Sequence, residues 1–103
     1  MTDIANEYIV GKLALDTVNR KALLGTKVIH LTKNEYKILE KLIKRKGEIV
    51  SRKKLIEELW GKEEMIFSNV IDVHVKNIRK KISSRNSPVI DTIRGEGYRL
   101  REK

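Results

Sequence analysis

The sequence predicts an α+β fold made of a small N-terminal antiparallel sheet, three helices and a C-terminal β-hairpin. Residues 8–31 contain four short apolar runs separated by glycine and polar residues, as in short strands joined by turns. Residues 33–83 carry apolar residues at helical spacing in three segments. Residues 89–100 (VIDTIRGEGYRL) hold a glycine-containing turn between two β-prone segments. This order of elements is typical of a winged helix-turn-helix domain, in which the hairpin is the wing.

Local signals set the boundaries of the three predicted helices. Residues 32–35 (TKNE) form a capping box, in which a threonine and a glutamate satisfy backbone amides at a helix start. Ser51 and Ser68 are placed to cap the second and third helices, and Gly47 and Gly61 to end the first two. The predicted helices therefore span about residues 33–46, 52–60 and 69–83. The core face of the first helix is predicted to consist of Tyr36, Leu39, Leu42 and Ile43.

The third predicted helix has two contrasting faces. Its core stripe consists of Ile71, Val75, Ile78 and Ile82. The opposite face carries Asn69, Val73, Lys76, Asn77 and Lys80. Cations bind phosphates, amides pair with base edges, and a short aliphatic group can rest on a thymine methyl. Most basic helix faces are simply solvated, but valine and asparagine are only modest helix formers, so their exposure here favours a DNA-reading face.

The composition indicates one domain with an anionic partner. The chain has 103 residues, 40% of them apolar and 36% charged, which suits a single globular core. Its net charge is +9, and residues 68–103 carry nine cations against four acids, so the excess lies in the third helix and the hairpin. Cysteine is absent, which excludes disulfides and thiolate metal sites and permits a cytosolic location. No apolar run approaches the roughly 20 residues of a membrane span.

Other classes of function fit the sequence less well. An enzyme is disfavoured because the chain has no glycine-rich phosphate loop, no H-E-x-x-H motif and no cysteine nucleophile, so we expect no catalytic residue, cofactor or metal. RNA binding is disfavoured because Trp60 and Tyr98 are assigned to the core and leave no exposed aromatic pair. A helix that lies on a membrane surface is a distant alternative. The apolar stripe of the third helix is purely β-branched and aligned with the apolar pattern of a second core-forming helix, which favours burial of the stripe in a protein core. A winged-helix protein-interaction module, whose basic face only confers solubility, remains the rival.

Nearly the whole chain, from about Tyr8 to Leu100, resembles the DNA-binding effector domain of OmpR/PhoB-type response regulators. The matches begin with Leu31-Thr32 together with Glu35. They continue, in the family's order and spacing, with residues 47–52 (GEIVSR), 59–61 (LWG), 71–75 (IDVHV), 78–81 (IRKK) and 92–99 (TIRGEGYR). The resemblance implies that the third helix enters the major groove and that the wing touches the adjacent minor groove. It also implies that the N-terminal sheet packs against the helices and faces a receiver domain.

The resemblance assigns roles to individual residues. His74, Lys76 and Arg79 match positions that meet the phosphate backbone or the groove, and Arg94 matches the wing arginine of the minor groove. For His74 a partly buried structural role is the alternative, because it lies near the core stripe. The loop before the third helix matches the polymerase-contacting loop of the family, with candidate residues Lys62, Glu63, Glu64, Met65 and Ile66. The alternative is that the apolar part of this loop fills the gap between two helices.

The chain departs from the family pattern on the predicted reading face. Many relatives have arginine at the positions of Asn69 and Asn77, and asparagine favours adenine where arginine favours guanine. Together with Val73, which suits a thymine methyl, these residues predict an A·T-rich core in the half-site. The operator sequences of relatives are therefore not expected to transfer to this chain.

The resemblance also implies a larger regulator. Relatives carry a phosphorylated receiver domain ahead of this domain, and nothing here resembles one, so we expect an excised effector domain with residues 1–7 as a linker remnant or disordered start. A stand-alone regulator is the alternative. The expected partners are double-stranded DNA, RNA polymerase and the receiver of a cytoplasmic bacterial two-component phosphorelay, with no membrane contact. We expect the isolated domain to be a monomer in solution, since the sequence shows no continuous apolar surface for self-association. On DNA, the resemblance implies that two copies bind direct-repeat half-sites about one helical turn apart.

Overall fold

The computed structural model describes residues 7–61, 69–85 and 87–102, which form the predicted α+β fold. The N-terminal sheet has antiparallel strands in sequence order, namely β1 (Glu7–Val10), β2 (Leu13–Asp16), β3 (Lys21–Leu24) and β4 (Lys27–Ile29). The helices and the wing are α1 (Lys33–Lys44), α2 (Arg52–Trp60), α3 (Asn69–Ile82), β5 (Val89–Ile93) and β6 (Gly97–Arg101). The winged helix-turn-helix with an added N-terminal sheet is confirmed.

Some observed boundaries differ from the predicted ones. Glu7, which we assigned to the start segment, is the first residue of β1, while residues 1–6 lie outside the described part of the chain. α1 ends at Lys44, two residues before the predicted end, because Lys46 takes a left-handed φ of +52° that does not continue a helix. The cap predicted at Ser68 also lies outside the described residues.

The capping box at the start of α1 is present as predicted. The Thr32 hydroxyl accepts a hydrogen bond from the Glu35 amide at 3.2 Å, and the Glu35 carboxylate accepts one from the Thr32 amide at 3.1 Å. At α2 the Ser51 hydroxyl accepts from the Lys54 amide at 3.1 Å, and Gly61 follows the last turn with a φ of +91°. These caps explain why both helices begin where the sequence predicts.

One apolar core joins the sheet, the helices and the wing. α1 contacts β1, β6, α2 and α3. The predicted stripe of α3 is buried, and each of its four residues is at most 2% exposed. The predicted core face of α1 is buried too, and Ile38, which was not predicted, is completely buried. Because α1 packs against four elements, its buried face is wider than the stripe that the sequence predicts.

The wing is attached to the body through Val50. The Val50 amide donates to the Tyr98 carbonyl oxygen at 2.7 Å, and the Tyr98 amide donates to the Val50 carbonyl oxygen at 2.9 Å. Gly97 lies beside this bridge with a φ of +147°. A Cβ built on Gly97 would overlap the Val50 carbonyl oxygen and lie 2.7 Å from the Cα of Ser51. The close approach of two backbones therefore requires glycine at this position, in addition to the needs of the turn.

The outer face of the N-terminal sheet carries an apolar row. The strand register pairs Ile9 with Ala14, Ala14 with Leu23, and Leu23 with Val28. Ile9 is 64% exposed and Val28 is 47% exposed. Such cross-strand apolar pairs stabilise a sheet. Here they also leave an apolar strip on the solvent-facing side of the domain.

Candidate nucleic-acid interface

The face of α3 opposite its buried stripe carries the five side chains predicted from the helical period. Asn69, Val73, Lys76 and Lys80 are exposed, Val73 by 54%, and Asn77 is half-buried. Within the part of the chain that the structure describes, no side-chain hydrogen bond or ion pair engages any of the five. Asn69, Val73 and Asn77 are spaced by four residues and form one row along the helix, with the two lysines beside it. The helix thus offers ammonium groups suited to phosphates and an amide–aliphatic–amide row suited to base edges.

Arg79 belongs to α3, but its guanidinium is bound to the wing. Its Nε donates to the Ile90 carbonyl oxygen at 3.1 Å, and its Nη2 donates to the same oxygen and to Thr92 Oγ1, both at 2.7 Å. The guanidinium carbon also lies 5.8 Å from the centroid of the Tyr98 ring. The resemblance assigns Arg79 to the phosphate backbone or the groove, whereas these hydrogen bonds favour a role in holding the wing against α3.

Lys81 is a second α3 cation that is bound within the protein. Its ammonium nitrogen lies 2.5 Å from the Glu35 carboxylate oxygen that also accepts from the Thr32 amide. Burial of Glu35 disfavours its charge, but the hydrogen bonds from Lys81 and from the Thr32 amide outweigh burial and hold the pKa of this carboxyl below its usual value. The ion pair ties the end of α3 to the start of α1.

Glu35→Gln should reveal this charge in the pH dependence of stability. A carboxyl with a lowered pKa in the folded state stabilises the fold above its ordinary pKa of 4.5, and this stability is lost as the pH falls through the lowered value. Glutamine can keep the capping-box hydrogen bond but not the charge. The free energy of unfolding at pH 7 should therefore fall by about 1–3 kcal/mol in denaturant titrations, and the loss should shrink at about pH 3.

Glu40→Gln is the matched control for this measurement. It removes a more exposed pair within α1, in which the Glu40 carboxylate lies 3.1 Å from the Lys44 ammonium. We expect a cost below about 0.5 kcal/mol at either pH. An equal cost of Glu35→Gln at both pH values would contradict a charged Glu35 in the folded state.

Asp72 connects the first turn of α3 to α2 and to the wing. One of its carboxylate oxygens accepts from Arg52 Nε at 2.9 Å and from the Tyr98 hydroxyl. Burial disfavours the charge of Asp72, but the hydrogen bonds from Tyr98 and Arg52 outweigh burial and keep the pKa of this carboxyl below its usual value. Burial, followed by the hydrogen bond to Asp72, raises the pKa of Tyr98. Sequence reasoning missed this network, although all three residues lie in the segments that carry the family resemblance.

The wing exposes Arg94 at its turn, next to Gly95 with a φ of +78°. No side-chain hydrogen bond or ion pair reaches Arg94 from the described residues. Arg99 and Arg101 are instead paired with Asp91, at 3.1 and 2.6 Å, and Arg101, followed by Arg99, holds the pKa of Asp91 below its usual value. The strand arginines thus stabilise the hairpin, and the guanidinium of Arg94 is left available at its tip.

His74 lies at the edge of the core. Its ring centroid is 6.4 Å from that of Trp60, at an interplanar angle of 35°, and the side chain is half-buried. This position favours the structural alternative for His74.

Trp60 packs against the core and Tyr98 is 3% exposed, so both support the fold as predicted. The candidate polymerase-contacting loop, residues 62–66, lies outside the described residues.

A winged helix whose α3 presents lysines and amides without partners among the described residues is typical of DNA-binding domains. Known proteins share this architecture. Residues 25–100 match the family described as transcriptional regulatory protein, C terminal. Response regulator MprA of Mycolicibacterium vanbaalenii is 37% identical over 91 residues, which are 87% of this chain and 39% of that protein. The DNA-binding domain of Klebsiella pneumoniae RstA, solved in complex with the RstA box, has a TM-score of 0.79 at 28% identity, over 92% of this chain and 96% of that one. Response regulator DrrB of Thermotoga maritima, an OmpR/PhoB homologue, has a TM-score of 0.80 at 36% identity, over 93% and 44%.

The chain belongs to the C-terminal domains of transcriptional regulatory proteins, the DNA-binding effector domains of OmpR/PhoB-type response regulators. Members of this family are transcription factors and not enzymes. The chain spans about two fifths of the length of the curated relatives that it matches.

Proposed function

We propose that the chain binds double-stranded DNA sequence-specifically, with α3 in the major groove and the wing turn in the adjacent minor groove. The proposal is carried by the five-residue face of α3, which is opposite the core stripe and has no side-chain partner among the described residues. The major groove admits an α-helix, and base edges there distinguish all four base pairs. Lys76 and Lys80 bind phosphates, and the row of Asn69, Val73 and Asn77 faces the bases.

The wing supports the minor-groove part of the proposal. Arg94 is exposed at the hairpin turn, and a narrow A·T-rich minor groove has the strongly negative potential that attracts such a guanidinium. The contacts of Arg79 with Ile90 and Thr92 hold the wing beside α3. Helix and wing can therefore meet one duplex in a single orientation.

Salt dependence of binding to a random-sequence duplex tests the phosphate contacts. Fluorescence anisotropy should show affinity falling steeply between about 50 and 200 mM salt, because each phosphate contact releases counterions. Lys76→Ala and Lys80→Ala should each reduce the slope of log K against log salt by about 0.9. Lys27→Ala is the control, since Lys27 is an exposed cation of β4 without a side-chain partner among the described residues and should not change the slope.

Two results would contradict the proposal. No binding at low salt would favour a protein-interaction module. Equal effects of Lys27→Ala and Lys80→Ala would indicate diffuse attraction by the net charge of +9 instead of a defined face.

The wider role is proposed from the family. The longer protein is a two-component regulator of the bacterial cytoplasm. Its receiver domain faces the N-terminal sheet, and the apolar row of Ile9, Ala14, Leu23 and Val28 supports such a contact.

Residues 62–66 form the proposed contact with RNA polymerase. The chain alone is a monomer and pairs on direct-repeat half-sites about one helical turn apart. No helix among the described residues is long and apolar enough to cross a membrane.

A further inference from the structure

The single arginine of α3 has its guanidinium hydrogen-bonded to the wing, away from the five-residue face. α3 contains one arginine, and Arg79 donates to Ile90 and Thr92 of the wing. Lys81 is bound to Glu35. The cations left on the face are Lys76 and Lys80, and the other side chains there are Asn69, Val73 and Asn77. This face therefore differs in kind from one that reads guanine with arginine.

Each of these side-chain types prefers a different base. Bidentate arginine on guanine is the commonest specific contact in the major groove, whereas asparagine pairs with adenine and an apolar group packs on the thymine methyl. A lysine can also donate to guanine, but its ammonium is a point charge without the guanidinium fork and suits a phosphate well. A face of amides, one aliphatic group and lysines thus favours A·T pairs.

Val73 and Asn77 are the pair best placed for this contact. Val73 is 54% exposed within a 14-residue helix, where a β-branched residue is neither a strong helix former nor well hydrated. Asn77 lies about one helical turn further along the same row. A turn rises 5.4 Å, less than two base-pair steps of about 3.4 Å, so the two side chains can reach neighbouring base pairs.

We propose that α3 reads A·T base pairs at the centre of its half-site, which rests on the proposed function because α3 must enter the major groove. The Asn77 amide nitrogen donates to N7 of adenine, and its oxygen accepts from the N6 amino group. Val73 packs on the methyl group of a thymine. Arg79 is a positioning residue that holds the wing and reads no base.

The experiment starts from a preferred site that the 103-residue chain selects from a randomised duplex pool. Replacing the A·T pair that Asn77 contacts by G·C should weaken wild type by about 5- to 150-fold. Asn77→Ala should lose a similar factor on the selected site and become indifferent at that one pair. Replacing thymine by uracil, which lacks the methyl group, should weaken wild type by about 4-fold and Val73→Ala by less than about 2-fold.

Lys80→Ala is the matched control, because the loss of a phosphate contact should weaken binding to all these duplexes by one common factor. The inference is overturned if the selected core is G·C, if Asn77→Ala acts equally on every base variant, or if uracil weakens Val73→Ala as much as wild type. In those three cases salt-dependent binding to duplex DNA would persist. Absence of any duplex binding at low salt would overturn the proposed function itself, and the inference with it.

Discussion

Gly97→Ala is expected to lower the free energy of unfolding by about 3–6 kcal/mol, a large part of the 5–15 kcal/mol typical of a domain. The added Cβ would overlap the Val50 carbonyl oxygen and lie 2.7 Å from the Cα of Ser51, both of which are backbone atoms. The φ of +147° is in addition a conformation that alanine rarely adopts. The overlap can be relieved only if Val50 moves away from β6, and this movement breaks the two hydrogen bonds between Val50 and Tyr98. The wing should then lose this backbone attachment and keep only its side-chain contacts to the body, such as those of Arg79 and Asp72.

Denaturant titration measures this loss, and Gly95→Ala is the matched control. Gly95 also has a positive φ, of +78°, but among the described residues no heavy atom other than those of Gly95 and its two chain neighbours lies within 4 Å of a Cβ added there. Gly95→Ala should therefore cost only backbone strain, about 1–2 kcal/mol. Equal costs of the two substitutions would show that the approach to Val50 is not what requires glycine at position 97.

Arg79→Ala is expected to weaken the fold and DNA binding together. The substitution removes the hydrogen bonds to Ile90 and Thr92 and leaves the Ile90 carbonyl oxygen without its charged donor. The free energy of unfolding should fall by about 1.5–3 kcal/mol, the usual range for a hydrogen bond to a charged group. DNA affinity should fall because α3 and the wing are no longer held in one relative orientation. Thermal unfolding and anisotropy measure the two effects.

Arg79→Lys separates this role from a phosphate contact. Lysine keeps the charge but lacks the planar guanidinium that donates to both Ile90 and Thr92. The stability of the Arg79→Lys variant should therefore stay close to that of Arg79→Ala. The salt slope should stay near the wild-type value for both variants. Lys80→Ala, one residue further, should instead reduce the slope by about 0.9 and change stability by less than about 0.5 kcal/mol. Rescue of affinity by lysine, with a reduced slope for alanine, would assign Arg79 to a phosphate.

The helices and their faces could be predicted because they depend on local signals. The cap at Thr32, the cap at Ser51 and the apolar stripe of α3 each involve residues within a few positions of one another. The exposed face of α3 could be predicted for the same reason, since the helical period alone places Val73 on the side of the helix opposite the buried stripe. Ile38 was missed because its burial depends on how many elements α1 contacts.

The remaining features depend on contacts between residues far apart in the sequence. The family resemblance assigns Arg79 to the phosphate backbone or the groove, and nothing local in the sequence shows that the wing brings the Ile90 carbonyl oxygen to its guanidinium. Asp72 and Gly97 were not singled out for the same reason, since their roles arise from the meeting of β6 with α2, α3 and Val50. Spacing therefore identifies which side chains share a face, whereas tertiary packing decides which of them are available to a ligand.

Amide NMR spectra of the isotope-labelled chain, titrated with the selected duplex, test most directly whether α3 and the wing turn form the DNA-binding surface. We expect the largest shift changes in residues 69–80 and 92–96, with β1 to β4 nearly unchanged. Changes concentrated in β1 to β4, with α3 unaffected, would contradict the proposed interface.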